Sequence, residues 1–179
     1  MPIEYIKGNL FEHVQDRDVI IHCCNNIGGW GSGFVVPLEH FAPISKIAYK
    51  CWFNNPGDCY PKNIRAVASG IFGLGQIQVV EHFYYADNSS PDGVDIKIVN
   101  MIGQNGVIGP DNPTPIDYEA IKSCLQKVAE RIPNDVRIIA PLFGAGLAGG
   151  KWTLIEKLIH ETLPGRNVVI FHLEDVLPL

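Results

Sequence analysis

The sequence predicts an α/β chain, a three-layer α/β/α sandwich built on a mixed, mainly parallel sheet. Two observations predict it. Short apolar runs alternate with amphipathic helical segments, the pattern of crossover connections between parallel strands. Two of those runs, residues 19–21 and 136–142, each pass through a glycine-rich loop into a helical pattern, so one strand–loop–helix unit occurs twice. The 179 residues fit a single domain, 1–179.

The elements follow in order. Residues 2–6 read as a first strand, and 7–11 as a turn. The run 19–21 continues into His22-Cys23-Cys24-Asn25-Asn26, with amides where the strand should end. Four glycines then fall within six residues, Gly28, Gly29, Gly31 and Gly33, with Trp30 among them. Residues 34–53 read as largely helical: Phe34, Leu38, Phe41 and Ile44 form a ladder that Ile47 and Cys51 continue. Pro37 is tolerated in a first turn, whereas Pro43 marks a break. Residues 54–58 and 87–93 carry strong loop signals. Between them, 65–71 and 76–84 read as strands, with Phe72-Gly73-Leu74-Gly75 turning a hairpin; no helical pattern follows that turn, so it is not read as a nucleotide loop. Residues 94–102 alternate and end in Gly103-Gln104-Asn105-Gly106. A proline-rich connector, 109–115, leads to an amphipathic helix at 116–132. Ile121, Leu125, Val128 and Ile132 share its apolar face, and Asp117 and Glu119 suit its N-terminal dipole. The second glycine loop, 143–150, precedes a helix at 152–163, and 168–173 is the last strand.

Composition excludes several functions. The formal net charge is −5, which argues against general binding to a nucleic-acid backbone. No run approaches the length of a membrane span, and no basic start leads into an apolar secretory core, so neither is expected. The five cysteines are odd in number and form no CxxC pair. Cys23 and Cys24 fall in a buried strand, so reduced thiols and a cytoplasmic location are expected. No metal-ligand spacing, dinucleotide fingerprint, P-loop or Gly-x-Ser-x-Gly elbow is present, and no metal or cofactor is expected.

The glycine loops carry the chemistry. Glycine lets the backbone approach a ligand and adopt positive φ. The first N–H groups of a helix lack internal partners, so each loop–helix junction suits an anion. In a parallel sheet both loops lie at the carboxyl edge, where ligands bind. The strand ends at Gly8, Asn25, Gly103 and Gly144 are expected to converge on one cleft. Two facing glycine loops suit a diphosphate better than a single phosphate.

With the opening Ile6-Lys7-Gly8-Asn9-Leu10, the two loops resemble the macro domain, the ADP-ribose-binding module, over nearly the whole chain and in the same order. The His22-Cys23-Cys24-Asn25 run followed by Trp30-Gly31-Ser32-Gly33 is most similar to the branch of ADP-ribose-1''-phosphate phosphatases and terminal ADP-ribose glycohydrolases. The resemblance implies a ligand-binding set of Gly8, Asn9, Leu10, Asn25, Trp30, Gly31, Ser32, Gly33, Phe143, Gly144, Ala145, Gly146 and Leu147. Within it, Asn9 stands where an acidic residue accepts from the adenine amino group; it is also a plain turn residue or helix cap. Asn25 stands at the distal ribose, or caps its own loop. His22 is a general acid or base near neutral pH, or a core histidine. Trp30 and Phe143 shield the ligand from water, or pack the loops.

Departures matter too. The glycohydrolase branch uses a lysine after the middle strand and an aspartate in the second loop. This chain has Gln104 and Asn105 in the first region and Ala148 at the aspartate position, so neither chemistry transfers. Lys151 reads as a solvated charge at a helix start, and Asp87 and Asp111 lie on loops. His22 and Cys24 share one strand face and Cys23 and Asn25 the other, unless the strand bends at its end. Two functions remain open: hydrolysis of a 1''-phosphate or ADP-ribosyl ester at the distal ribose, with Asn25 and His22 catalytic, or non-catalytic binding of ADP-ribose or a related NAD-derived nucleotide. The partner is the free nucleotide or an ADP-ribosylated macromolecule.

Overall fold

A computed structural model describes residues 2–55, 60–86 and 92–173. The expected loops at 54–58 and 87–93, with Asp87, lie partly outside the described residues. Among those described, seven strands form one sheet: β1 (Glu4–Lys7), β2 (Val19–Asn25), β3 (Ala66–Ala68), β4 (Ile77–Tyr84), β5 (Val94–Gln104), β6 (Ile138–Pro141) and β7 (Val168–His172). Their order is β1-β7-β6-β2-β5-β4-β3. The first five run parallel; β4 and β3 close the edge as an antiparallel hairpin pair, as the turn at 72–75 predicts.

Helices cover both faces. Helices α1 (Val35–Phe41) and α2 (Pro43–Asn54) pack on one side, and α3 (Tyr118–Arg131) and α4 (Trp152–Thr162) on the other. The helical stretch expected at 34–53 is therefore two helices. Ala42 leaves helical geometry and Pro43 starts α2, where its missing N–H costs no bond. Helix α3 starts on Asp117, whose Oδ1 accepts from the Ala120 N–H at 2.9 Å.

Strand alternation divides the core. From β2, Val19 and Ile21 point to α3 and α4, while Ile20 and Cys24 point to α1 and α2. Each side is a separate apolar cluster, and Trp52, Tyr49, Leu38, Ile121 and Leu125 are fully buried.

The connections locate the cleft. After β2 the chain crosses one face toward β3; after β6 it crosses the other face to β7 on the opposite side. Connections that diverge from two adjacent strands leave a crevice at their carboxyl ends. Pairing between β2 and β6 stops after Val19–Ile138 and Ile20–Ile139, so the sheet opens above that point.

Candidate functional site: a glycine-walled cleft at the split in the sheet

A cleft of about 650 Å³ fills this opening. Its volume lies within the roughly 300–1,000 Å³ typical of small-molecule sites. The floor is His22–Asn25 of β2 with Gln104 of β5. One wall is Gly29–Val35, the other Pro141–Gly144 and Gly146–Ala148, and Val107 and Ile108 stand at the rim. Among the described residues, no lysine, arginine, aspartate or glutamate lines it.

The first glycine loop is held by Asn25. Its Oδ1 accepts from Gly29 N at 2.8 Å, Ile27 N at 3.1 Å and the Tyr49 hydroxyl at 3.0 Å, and its Nδ2 donates to Gly29 O at 2.9 Å. Lys50 of α2 donates to the carbonyl of Gly28 from behind. The second loop is shaped by steric limits. At Gly144, φ is +75°, and a Cβ there would lie 2.5 Å from Cδ1 of Ile116, so only glycine fits. At Gly146 nothing lies within 4 Å, which leaves its backbone open to the cleft. The loops meet where Leu147 approaches Gly33, whose φ is +76°.

Between these anchors the loops leave donors unused. The N–H groups of Gly31, Ser32 and Gly33, and of Gly146, Leu147 and Ala148, donate to no acceptor among the described residues. Two sets of free N–H groups thus flank one cleft that, among the described residues, carries no charged side chain. Such backbone concavities bind anions.

A β-bulge between Cys24 and Asn25 shifts the β2–β5 register, with Cys24 opposite Ile102 and Asn25 opposite Gln104. Strict alternation therefore fails at the strand end. Asn25 reaches Tyr49 on the α1–α2 side, the side that also holds His22 and Cys24. The bend brings His22 and Asn25 to one floor.

His22 is 1% exposed. Its Nε2 lies 2.6 Å from Asn100 Oδ1, its Nδ1 lies 3.8 Å from Cys24 Sγ, and its ring meets Trp30 edge-on and Phe34 at a tilt. Burial pulls its pKa down from 6.5 to about 4, so the imidazole is neutral at pH 7. Burial pushes the Cys23 thiol up to about 12 and Cys24 well above the ordinary thiol range. Neither offers a thiolate nucleophile.

Of the residues expected at the site, His22, Asn25, Trp30, Gly31, Ser32, Gly33, Phe143, Gly144, Gly146 and Leu147 line the cleft, while Gly8, Asn9, Leu10 and Ala145 do not. Strand β1 lies three strands from β2, about 14 Å at the usual strand spacing, and the turn that follows it approaches the cleft only from outside the lining, where Phe11 stacks on the lining residue Phe34 at 5.4 Å. Leu10 is buried in the α1–α2 core. Asn9 caps its own 3-10 turn, accepting from Phe11 N at 3.2 Å and donating to Glu12 at 3.3 Å. Gly103 also stays out of the cleft: a Cβ there would lie 2.3 Å from Cδ1 of Ile121, so it serves strand–helix packing. Ala145 packs onto the α3–α4 core. Trp30 and Phe143 face the cleft and are also core residues, 7% and 4% exposed. Ala148 is buried, Lys151 is exposed at the start of α4, and Asp111 is exposed outside the cleft lining.

Sequence reading missed Asn100, Gln78, Ser45, Val107 and Ile108. The isolated polar positions on apolar strands, Asn100 in β5 and Gln78 in β4, were the available signal.

Comparison with known proteins fits this architecture. No family model matches the chain. An ADP-ribose 1''-phosphate phosphatase of Candida albicans is 26% identical over 164 residues, 89% of this chain and 92% of its own length. A protein of unknown function from Bacteroides thetaiotaomicron is 33% identical with a TM-score of 0.75, covering 96% of this chain and 98% of its own. A macrodomain protein from Streptomyces coelicolor is 29% identical with a TM-score of 0.63, covering 95% of this chain and 98% of its own. This chain has the macrodomain fold. In this version of the fold the glycine loops flank the split between β2 and β6, and the described residues include no helix long and apolar enough to cross a membrane.

Proposed function

We propose that this protein binds ADP-ribose or a close NAD-derived nucleotide and hydrolyses a bond at its distal ribose, with the 1''-phosphate ester as the best-fitting substrate. One observation carries the reading: two glycine loops present free N–H groups across a cleft without charged side chains. A diphosphate bridging the loops receives donors from both sides. Among the described residues no carboxylate lines the cleft, which leaves room for a further phosphate that an aspartate would repel. The similarity to the Candida phosphatase supports the same substrate.

In this reading the distal ribose lies over the floor at Asn25 and His22. The loop N–H groups take up charge developing on the phosphoryl oxygens. Neutral His22 serves as a hydrogen-bond acceptor beside the reacting centre, and Asn25 holds the loop whose donors face the phosphate. The ligand is the free nucleotide or one attached to a macromolecule.

A second reading, binding without turnover, is favoured by Asn25 itself. Its Oδ1 already accepts three bonds from protein and one N–H of Nδ2 is held by the Gly29 carbonyl, so a single N–H and no free acceptor remain with which to orient an attacking water. Phosphate release from ADP-ribose 1''-phosphate, run beside calorimetric ADP-ribose binding, separates the two. Release at many turnovers supports the enzyme; tight binding with no release leaves only the binder. Absence of both refutes the proposal.

A further inference from the structure

We propose that Asn100 is the positioning residue of this site: with Ser45 and Gln78 behind it, it holds His22 as the neutral Nε2–H tautomer and leaves Nδ1 as an acceptor on the cleft side. The functional half of this inference rests on the reading above; the tautomer does not.

His22, Asn100 and Gln78 are register partners on three adjacent strands, β2, β5 and β4. They form a polar row beneath α2 on a sheet face otherwise built from Ile20, Cys24, Ile98, Ile102 and Val80. Asn100, Gln78 and Ser45 are each 0% exposed. Hydrogen-bond chemistry orients every member. Asn100 Nδ2 donates to the Ser45 carbonyl at 3.2 Å and to Gln78 Oε1 at 2.9 Å. A carbonyl only accepts, so the amide nitrogen is fixed on that side. Gln78 is fixed in the same way, because its Nε2 donates to the Ala48 carbonyl at 3.0 Å. Asn100 Oδ1 therefore faces His22 Nε2 at 2.6 Å while accepting from Ser45 Oγ at 3.0 Å. An amide oxygen cannot donate, so the hydrogen in that contact belongs to Nε2.

The other ring nitrogen is then the acceptor. Nδ1 lies 3.8 Å from the thiol of Cys24, which also lines the cleft two residues nearer the end of β2, and the Cys23 backbone bonds the ring as well. The groups packed about the ring are Cys23 and Cys24 of its own strand, Asn100 of β5, Trp30 and Phe34 of the loop and, through Trp30, Tyr49 of α2. The two thiols and the Tyr49 phenol are all pushed up by burial and stay uncharged at neutral pH. No charge competes with the row for control of the ring.

Buried polar side chains destabilise a core unless each bond is made. Apolar residues would pack this face equally well, so a fully bonded row that ends at the cleft floor marks a positioning role. The test starts with two-bond proton–nitrogen correlation spectra of ¹⁵N-labelled protein. In wild type, His22 should show a protonated Nε2 and an unprotonated Nδ1, unchanged from pH 8 to 5.5. A protonated Nδ1 overturns the assignment. In Asn100→Asp a carboxylate faces Nε2–H and favours the imidazolium, so the His22 midpoint should rise by about one unit or more. The acid limb of phosphate release should rise with it, giving roughly a tenfold loss at low pH where wild type stays flat. A midpoint that does not move refutes the row's control of His22. A midpoint that moves without the acid limb refutes Nδ1 as the working acceptor. Ser45→Ala, which removes one donor to Asn100, serves if Asn100→Asp does not fold; it should weaken the tautomer preference. If wild type releases no phosphate, the phosphatase reading fails by itself, and the pH dependence of ADP-ribose affinity takes the place of the rate.

Discussion

Replacing Asn25 by alanine removes four hydrogen bonds made by one side chain: three accepted by Oδ1 and one donated by Nδ2. Tyr49 keeps a partner, because its hydroxyl also donates to the Asn25 backbone carbonyl at 2.7 Å. The freed groups of Ile27 and Gly29 lie at the surface end of the loop and regain water. The loss is therefore nearer the net value of a hydrogen bond, about 1 kcal/mol each, than the full cost of buried orphans. The expected destabilisation is about 3 kcal/mol, which lowers Tm by about 6–12 °C in a domain of this size. Asn25→Asp retains the Oδ1 acceptor but sets a carboxylate oxygen against the Gly29 carbonyl in a buried position, so it should destabilise by about as much, roughly 3 kcal/mol. It also places a carboxylate on the cleft floor, so its ADP-ribose affinity should fall at least as far as that of the alanine variant. Thermal melts read the first effect and calorimetry the second. An Asn25→Ala protein that melts within about 1 °C of wild type yet has lost binding or turnover would refute the loop-clamp role and make Asn25 a ligand contact.

Four further outcomes are expected. Gly146→Glu should leave Tm unchanged, since nothing lies within 4 Å of the added carbon, and should weaken ADP-ribose binding at least tenfold in calorimetry; unchanged affinity in the folded variant would remove the second loop from the diphosphate. Gly144→Ala should destabilise by about 2–4 kcal/mol in denaturant melts, because alanine meets both the positive φ and the Ile116 methyl. His22 is neutral when folded and protonates in the unfolded chain, so stability should fall as pH drops from 6.5 to about 4, by about 3 kcal/mol in total; His22→Gln should flatten that part of the curve. ADP-ribose should change tryptophan emission through Trp30, since Trp52 and Trp152 lie outside the cleft lining, and Trp30→Ala should abolish most of the response.

The sequence alone determined the layers, the two strand–glycine loop–helix units and the helix break at Pro43, because periodicity and backbone restriction are local properties of the chain. Glycine spacing also marked both walls of the cleft. Which strand ends meet depended on strand order. Gly8 has the loop chemistry, yet β1 lies at the sheet edge, and only the pairing of β7 with β6 sets that distance. The facing of Asn25 goes with the register shift between Cys24 and Asn25, where Gly103 of β5 is left unpaired, an irregularity of pairing that strand alternation cannot encode. The role of Asn100 was equally hidden. A polar residue in a long apolar strand has no visible purpose until β2 and β4 pair on either side of β5 and bring His22 and Gln78 level with it, because a buried amide is defined by partners 78 and 22 residues away in the chain.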